Sequence, residues 1–483
     1  MNNTLDRLTP RAPVRIVHLG LGAFHRAHQA WYTARADPVH EWGIAAFTGR
    51  SPDAAELLAH QDCVYSLITR SSDGDRIETV SSIVAAHDGA DVAALRDYLA
   101  RPAVTIVTLT VTEKGYRLDG HGRLDRTDPE VAADIDLLSG LLGDDPAAVS
   151  APAASAEAPE VAPSAHARAL QTMPGRLLWA LDARRRALPD ATLTLIPCDN
   201  LSNNRAALLA ALDDLAALAS PHLRSWISAQ VDIVGTSVDR ITPRTTDADI
   251  DALAARAGRR DPALVVTEPF HSWILSGSIR SARPAWEAAG ATFVGDIAPF
   301  EQRKLWMLNG AHSLLAYDGI RRGHSTIAEA IGDPQCAAAV DDLWDLAERH
   351  LTAAAEAAAA GVDLDLAAYR RDLRARFENP AIAHHLRQIA IDGSVKLRSR
   401  VVEPVRLDRA AGATGEAGIT AIAAWIRFAR AEVRAGRPID DVAASDIADR
   451  AAAADPHRAL LDLIAPDLAA DDAVVRLVTA SAD

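Results

Sequence analysis

Cysteine is scarce in this chain. Its 483 residues hold three, Cys63, Cys198 and Cys336, widely spaced and in no C-x-x-C pair. That argues against a disulfide framework or a cysteine-based zinc site, and reduced thiols in the cytoplasm are the expectation. No H-E-x-x-H occurs, and the histidine pairs His25/His28 and His384/His385 lack a ligand cluster around them, so no metal is expected. Basic residues are outnumbered, 50 Lys plus Arg against 65 Asp plus Glu, for a net charge of -15. That balance argues against nucleic acid and anionic membrane as partners, since both need a basic surface. A small anionic substrate needs only a local basic pocket and stays open. No charge-free run of about 18 apolar residues is present, so no membrane span is expected. The opening M-N-N-T-L-D-R-L-T-P lacks the apolar core of a secretory leader. A monomer and a small homo-oligomer both fit these features.

What is present falls into two parts. A chain of this length exceeds one ordinary core, so two domains are expected. Up to about residue 294, short apolar runs alternate with helical stretches: V-R-I-V-H-L-G (14–20), G-I-A-A-F (43–47), V-T-I-V-T-L-T-V (104–111), T-L-T-L-I-P (192–197) and V-D-I-V-G-T-S-V (231–238). Alternating β and α elements predict an α/β fold with a parallel, doubly wound, Rossmann-like sheet. Residues 146–166 are low-complexity Pro/Ala/Ser and read as a surface insertion. From 295 to 483, Ala-, Leu-, Arg- and Asp-rich stretches with little β signal predict a mostly α-helical second domain.

The first strand runs into G-L-G-A-F-H-R-A-H-Q (20–29). A Gly-x-Gly turn between strand and helix lets the backbone approach a pyrophosphate, and the helix N-terminus favours its charge. The third position of a G-x-G-x-x-G is His25 here. Gly20, Gly22, Ala23 and Phe24 are therefore candidate cofactor-binding residues. The second strand leads into T-G-R-S-P-D, with no acid directly at its end. Asp53 stands close enough to bind an adenosine ribose, whereas Arg50 and Ser51 suit a 2′-phosphate, so NAD and NADP both remain open. C-D-N (198–200) and V-D-R-I-T-P (238–243) put Asn200 and Asp239 at further strand ends, where α/β sheets bind ligands. Helix capping is the plain alternative for Asn200, and pairing with Arg240 for Asp239.

K-L-W-M-L-N-G-A-H (304–312) carries polar residues at unusual intervals. At about 100° per residue, an α-helix places Glu301, His312 and Asn309 within about 140° of Lys304, with Trp306 and Met307 opposite. One face then offers an acid, a base, an amide and an imidazole. A lysine accepts a proton near neutral pH when desolvation or nearby positive charge favours its neutral form. An alkoxide forming during hydride transfer needs fixed amide donors, which Asn309 and Asn200 supply.

Together these stretches, with T-V-T-E-K-G-Y (110–116), E-P-F (268–270), R-P-A-W-E (283–287) and K-x-x-x-x-N-x-x-H (304–312), resemble the mannitol dehydrogenase family of long-chain, zinc-independent polyol dehydrogenases. R-F-E-N-P-A-I (376–382) and Q-I-A-I-D-G-S-V-K (388–396) look most like its D-mannonate oxidoreductase (fructuronate reductase) branch. The resemblance implies an NAD(P)-dependent dehydrogenase whose general base is Lys304. Asn309, His312, Asn200 and Asp239 would share the site, Asp239 also counting as cofactor-binding. Glu301 would link it to solvent, and Lys396 would contact substrate. Arg387 joins Lys396 as a candidate for a substrate carboxylate, with Arg398 and Arg400 close in sequence. H-S-W-I-L-S-G (271–277) and R-S-R (398–400) depart from the family pattern at places that touch substrate choice. D-mannonate/D-fructuronate is the favoured substrate pair. D-mannitol/D-fructose follows, and a catalytically silent NAD-binding sensor of sugar acids is the remote alternative.

Overall fold

The computed structural model describes residues 5, 7–142, 170–357 and 362–482, so the expected insertion at 146–166 lies outside the described residues. The chain divides into two compact units, Met1–Thr69 with Asp75–Ile297, and Arg70–Gly74 with Ala298–Asp483.

The first unit is built on a six-stranded sheet whose strands we number β1 (Val14–Leu19), β2 (Gly43–Phe47), β3 (Ile83–His87), β4 (Ile106–Leu109), β5 (Leu193–Pro197) and β6 (Val231–Ile233). Their order is β3-β2-β1-β4-β5-β6 and every pair is parallel. This is the doubly wound dinucleotide-binding order, with its switch point between β1 and β4. Successive residues of a strand point to opposite faces. Val17, Val107 and Leu195 accordingly enter one core with Leu177 and Leu208. Ile16, Ile106 and Ile196 enter another with Trp31, Tyr32 and Trp273. Because both faces are covered, these strands are apolar throughout instead of alternating.

Two expectations need correction. The predicted strand 231–238 is two strands: Val231–Ile233 stays in the sheet, while Gly235–Asp239 pairs antiparallel with Ser272–Ser276 in a separate three-stranded sheet completed by Thr292–Val294. The apolar pattern runs through Val234, so it carries no sign of the change of partner. Strand β3 was not expected, and neither was the sheet formed by Val265–Thr267, Tyr65–Ser71 and Gly74–Val80.

The second unit is helical. Its centre is the helix Gly310–Arg321, buried continuously from Gly310 to Gly319. Such a helix has no polar stripe because Ile327–Ile331, Pro334–Ala357, Leu386–Ile389 and Glu416–Arg434 pack around it. The Lys304–Asn309 segment just before it is a six-residue π-helix, not α-helix, and a second π segment spans Arg398–Val402. Among the described residues no helix is long and apolar enough to cross a membrane.

Candidate active site

The glycine turn is held from three sides. Gly20 N–H and Leu21 N–H both donate to Phe47 O, at 2.9 and 2.8 Å. Thr110 Oγ1 donates to Gly20 O at 2.7 Å. Gly20 has φ +108°, and a Cβ there would lie 2.0 Å from Thr110 O, so only glycine fits. At Gly22 a Cβ would meet nothing closer than Gly20 O at 3.7 Å, so the chain itself leaves that position open to a close-approaching ligand. Ala23 and Phe24 begin a helix of only five residues, Ala23–Ala27, which breaks at His28. Free backbone N–H groups, more than a long helix dipole, are what this turn offers an anion.

Beneath the turn lies a packet of buried histidines. His18 and His25 stack with ring centroids 3.3 Å apart. His18 Nδ1 meets Thr108 Oγ1 at 2.8 Å and its Nε2 meets Thr110 Oγ1 at 3.0 Å. His28 Nε2 bonds Ser272 O at 2.9 Å. Burial pushes His18 and His28 down to about 3, and burial followed by the neighbouring His18 drives His25 well below its ordinary value.

A cavity of about 470 Å³ opens at the carboxyl ends of the strands, bordered by Gly20, Thr48, Gly49, Gly89 and Thr110. Asp53 lies outside this lining, exposed at the start of the helix Asp53–Ala59, where its N–H donates to Ser51 Oγ at 3.2 Å. Asn200 is exposed in the turn after β5. The following helix takes Asn203 as its N-cap position. Asp239 is 9% exposed at a strand end. Its neighbour Arg240 donates to Ala27 O at 2.5 Å and lies over Trp31, 4.5 Å from the ring centroid. Other stretches that carry the family resemblance serve as fasteners. The Tyr116 hydroxyl donates to Asp199, whose carboxyl burial raises to about 6. Glu268 Oε1 accepts from Ile241 N–H at 2.6 Å, and Trp286 Nε1 donates to Thr33 Oγ1 at 3.1 Å.

In the helical unit the π turn changes the expected geometry of the Lys304 face. A π-helix closes i→i+5 hydrogen bonds. Residues five apart thus come onto one face, where an α-helix would set Lys304 and Asn309 about 140° apart. Three side chains donate to two carbonyls of this segment. Trp344 Nε1 donates to Met307 O at 2.9 Å, and Asn309 O accepts from Ser313 Oγ at 3.1 Å with Arg400 Nη1 at 3.5 Å. Gly310 lets the two π segments meet: a Cβ there would come within 3.1 Å of Arg400 O.

His312 is buried one turn further on. Its ring centroid is 4.9 Å from Phe377 and 5.0 Å from His384. Its Nε2 has no hydrogen-bond partner among the described residues. Burial first, then His384, Arg376, Arg400 and Lys304, push its pKa well below the ordinary value, so the ring is neutral. Of these, Arg376, Arg400 and Lys304 carry positive charge, whereas burial holds His384 down to about 4. Lys304, Glu301 and Asn309 are half-buried. Lys396 is half-buried too, its Nζ 3.5 Å from Ile389 O, whereas Arg387 is 62% exposed and pairs with Glu432 at 3.1 Å. Arg398 is exposed and donates to Leu463 O at 2.8 Å. Arg376, Phe377, Ser313 and Trp344 were not singled out from sequence. R-F-E-N-P held the first two, but nothing in its spacing points at His312. Among the described residues no group of three or more His, Cys, Asp or Glu could hold a metal.

Sheet order and glycine turn define a dinucleotide-binding domain, followed by a helical domain carrying a lysine, an amide and a neutral imidazole. The chain belongs to the mannitol dehydrogenase family: the family's Rossmann domain matches residues 14–288 and its C-terminal domain residues 296–483. It is 34% identical over 442 residues to D-mannonate oxidoreductase of Escherichia coli K12, covering 89% of this chain and 83% of that one. It is 35% identical over 396 residues to D-arabinitol 4-dehydrogenase of Ralstonia nicotianae, covering 80% and 77%. Among solved structures it is similar to Pseudomonas fluorescens mannitol 2-dehydrogenase in its ternary complex with NAD and D-mannitol, with 30% identity, a TM-score of 0.78, and 99% of this chain and 94% of that chain covered. The protein is thus an NAD-dependent oxidoreductase acting on CH–OH groups, from a family of polyol and sugar-acid dehydrogenases.

Proposed function

We propose that the enzyme interconverts D-mannonate and D-fructuronate. Relatives acting on a sugar acid, a pentitol and a hexitol stand within a few per cent of one another in identity, so identity does not choose among them. The observation that carries the reading is the setting of His312, a buried ring depressed by three nearby cations, Arg376, Arg400 and Lys304. A hexuronate brings a carboxylate into such a field; a hexitol brings none. In this reading Lys304 takes the proton of the reacting hydroxyl. Asn309 and the neutral His312, whose Nε2 awaits a partner, hold the oxygen by hydrogen bonds. Asn309 is steadied for this by Ser313 and Arg400. NAD, when bound, accepts the carbinol hydride. Glu301, half-buried one turn before Lys304, is the route by which the proton leaves.

A charge-assisted hydrogen bond contributes about 1.5–3 kcal/mol, or roughly 10–150-fold in discrimination. The kcat/KM for D-fructuronate, followed by NADH absorbance, is therefore expected to exceed that for D-fructose by at least about tenfold. Lys396→Met is expected to lower the fructuronate value more than the fructose value. Fructose or mannitol as the better substrate would overturn the uronate reading in favour of a mannitol 2-dehydrogenase.

A further inference from the structure

The cavity at the strand ends has a charge pattern that NAD alone does not require. Its lining includes Arg50, Lys114, Arg117 and Arg176, and no Asp or Glu among the described residues. An NAD site of this fold ordinarily ends its second strand with a carboxylate that accepts from the ribose 2′-hydroxyl. Here β2 ends at Phe47 and continues Thr48-Gly49-Arg50-Ser51. The first of these is fixed at both its backbone and its side chain. Thr48 N–H donates to His87 O at 3.0 Å, and Gly89 N–H donates to Thr48 Oγ1 at 2.9 Å. The loops after β2 and β3 are so close that a Cβ on Gly89 would lie 2.1 Å from Thr48 O. Arg50 therefore projects from an anchored base at the ribose end of the cavity.

The cations differ in what they are free to do. Arg117 is already paired with Asp128, at 2.7 Å, and with Glu130. Arg176 is fastened to Leu170 O and Gly89 O, at 2.9 and 3.0 Å. Lys114 and Arg50 are both exposed, but Arg50 stands on the loop after β2, where Ser51 beside it presents a hydroxyl. Asp53, the nearest acid in the loop, lies outside the lining.

We propose that Arg50, with Ser51, forms a 2′-phosphate subsite, and that the enzyme takes NADP(H) in addition to NAD(H), binding the phosphorylated coenzyme more tightly. A guanidinium matches a phosphate with paired, charge-assisted hydrogen bonds and has nothing comparable to offer a ribose diol. This assignment concerns the adenosine end alone and stands whichever sugar proves to be the substrate.

The test uses fragments that cannot be turned over. By calorimetry on the full chain, 2′,5′-ADP is expected to bind about tenfold more tightly than 5′-AMP. The isomer 3′,5′-ADP, with the same charge on the neighbouring hydroxyl, is expected to gain less than half of that factor. Arg50→Ala should bring 2′,5′-ADP to the level of 5′-AMP, and Arg50→Glu should make 5′-AMP the tighter ligand. Because Arg50 is exposed, neither substitution should shift Tm. Intact NADP+ and NAD+ should rank as their fragments do. Equal binding of 2′,5′-ADP and 5′-AMP would overturn the proposal. So would equal binding of the two ADP isomers, which would show a diffuse positive field, or a preference that survives Arg50→Ala.

Discussion

In the sheet unit the candidate ligand-binding groups are largely backbone; in the helical unit the candidate catalytic groups are side chains set on an irregular helix. Gly20, Leu21 and Gly22 are placed by strand pairing and by hydrogen bonds to Phe47 and Thr110. Lys304 and Asn309 are placed by a π turn whose carbonyls are held by Trp344, Ser313 and Arg400, residues distant in sequence or on another turn. Backbone placement follows from the fold and tolerates changes of side chain. Placement on a π turn depends on a few specific contacts. Substitutions in the two regions should therefore fail differently: in the first through binding or folding, in the second through turnover.

The largest effect is expected at Lys304. Lys304→Ala should lower kcat by about 10²–10⁴-fold. Dinucleotide affinity, measured by calorimetry, should stay nearly intact. A variant that keeps more than about a tenth of wild-type kcat would remove Lys304 from the base role. Next comes the contrast within the glycine turn. Gly20→Ala forces a Cβ against Thr110 O at positive φ and should lower unfolding free energy by about 2 kcal/mol or more in urea titrations. Gly22→Val should fold with near-normal stability yet lose dinucleotide affinity; unchanged affinity would mean this turn does not carry the pyrophosphate. Smaller again, Trp344→Phe leaves Met307 O without its indole donor, which should cost about 1–3 kcal/mol of stability. It should also lower kcat while Kd for the dinucleotide holds. Lost stability with unchanged kcat would show that the indole serves the fold alone. The smallest expected effect is none: dialysis against a strong chelator should leave the rate unchanged, and a loss restored by zinc would reopen the histidine pairs.

How much of this was legible in sequence differs between the regions for a physical reason. Strands buried on both faces announce themselves as apolar runs, so β1, β2 and β5 were placed to within a residue and β4 was only overextended. β3 was missed because only its first two residues, Ile83 and Val84, are buried and strongly apolar, while residues 85–87 are half-buried, so its apolar run is too brief to stand out. The glycine turn was legible because it is local chemistry between a strand and a helix. At Lys304 the residue types were legible and the geometry was not. A π turn carries no periodicity of its own in six residues, and the contacts that hold it come from Trp344 and Arg400. Arg376 and Phe377 reach His312 through tertiary packing, which no spacing rule encodes.

The histidine packet under the glycine turn has a consequence for the proton balance of folding. Unfolded imidazoles begin to take up protons near pH 6.5. Inside the sheet unit His18 and His28 refuse them until about pH 3, and His25 refuses them as well, because burial penalises the charged ring. Between those limits the unfolded chain binds more protons than the folded one. Stability contributed by these rings is thus complete above pH 6.5 and drains away as pH falls towards 3. Asp199 works in the opposite sense, since its carboxyl, raised to about 6, is protonated more readily folded than unfolded. It is one carboxyl against these three rings, and burial lowers His87 and His271 of the same unit as well. Acidification therefore loosens the dinucleotide-binding unit from directly below its glycine turn, and bound dinucleotide, by favouring the folded form, acts as a counterweight to acid.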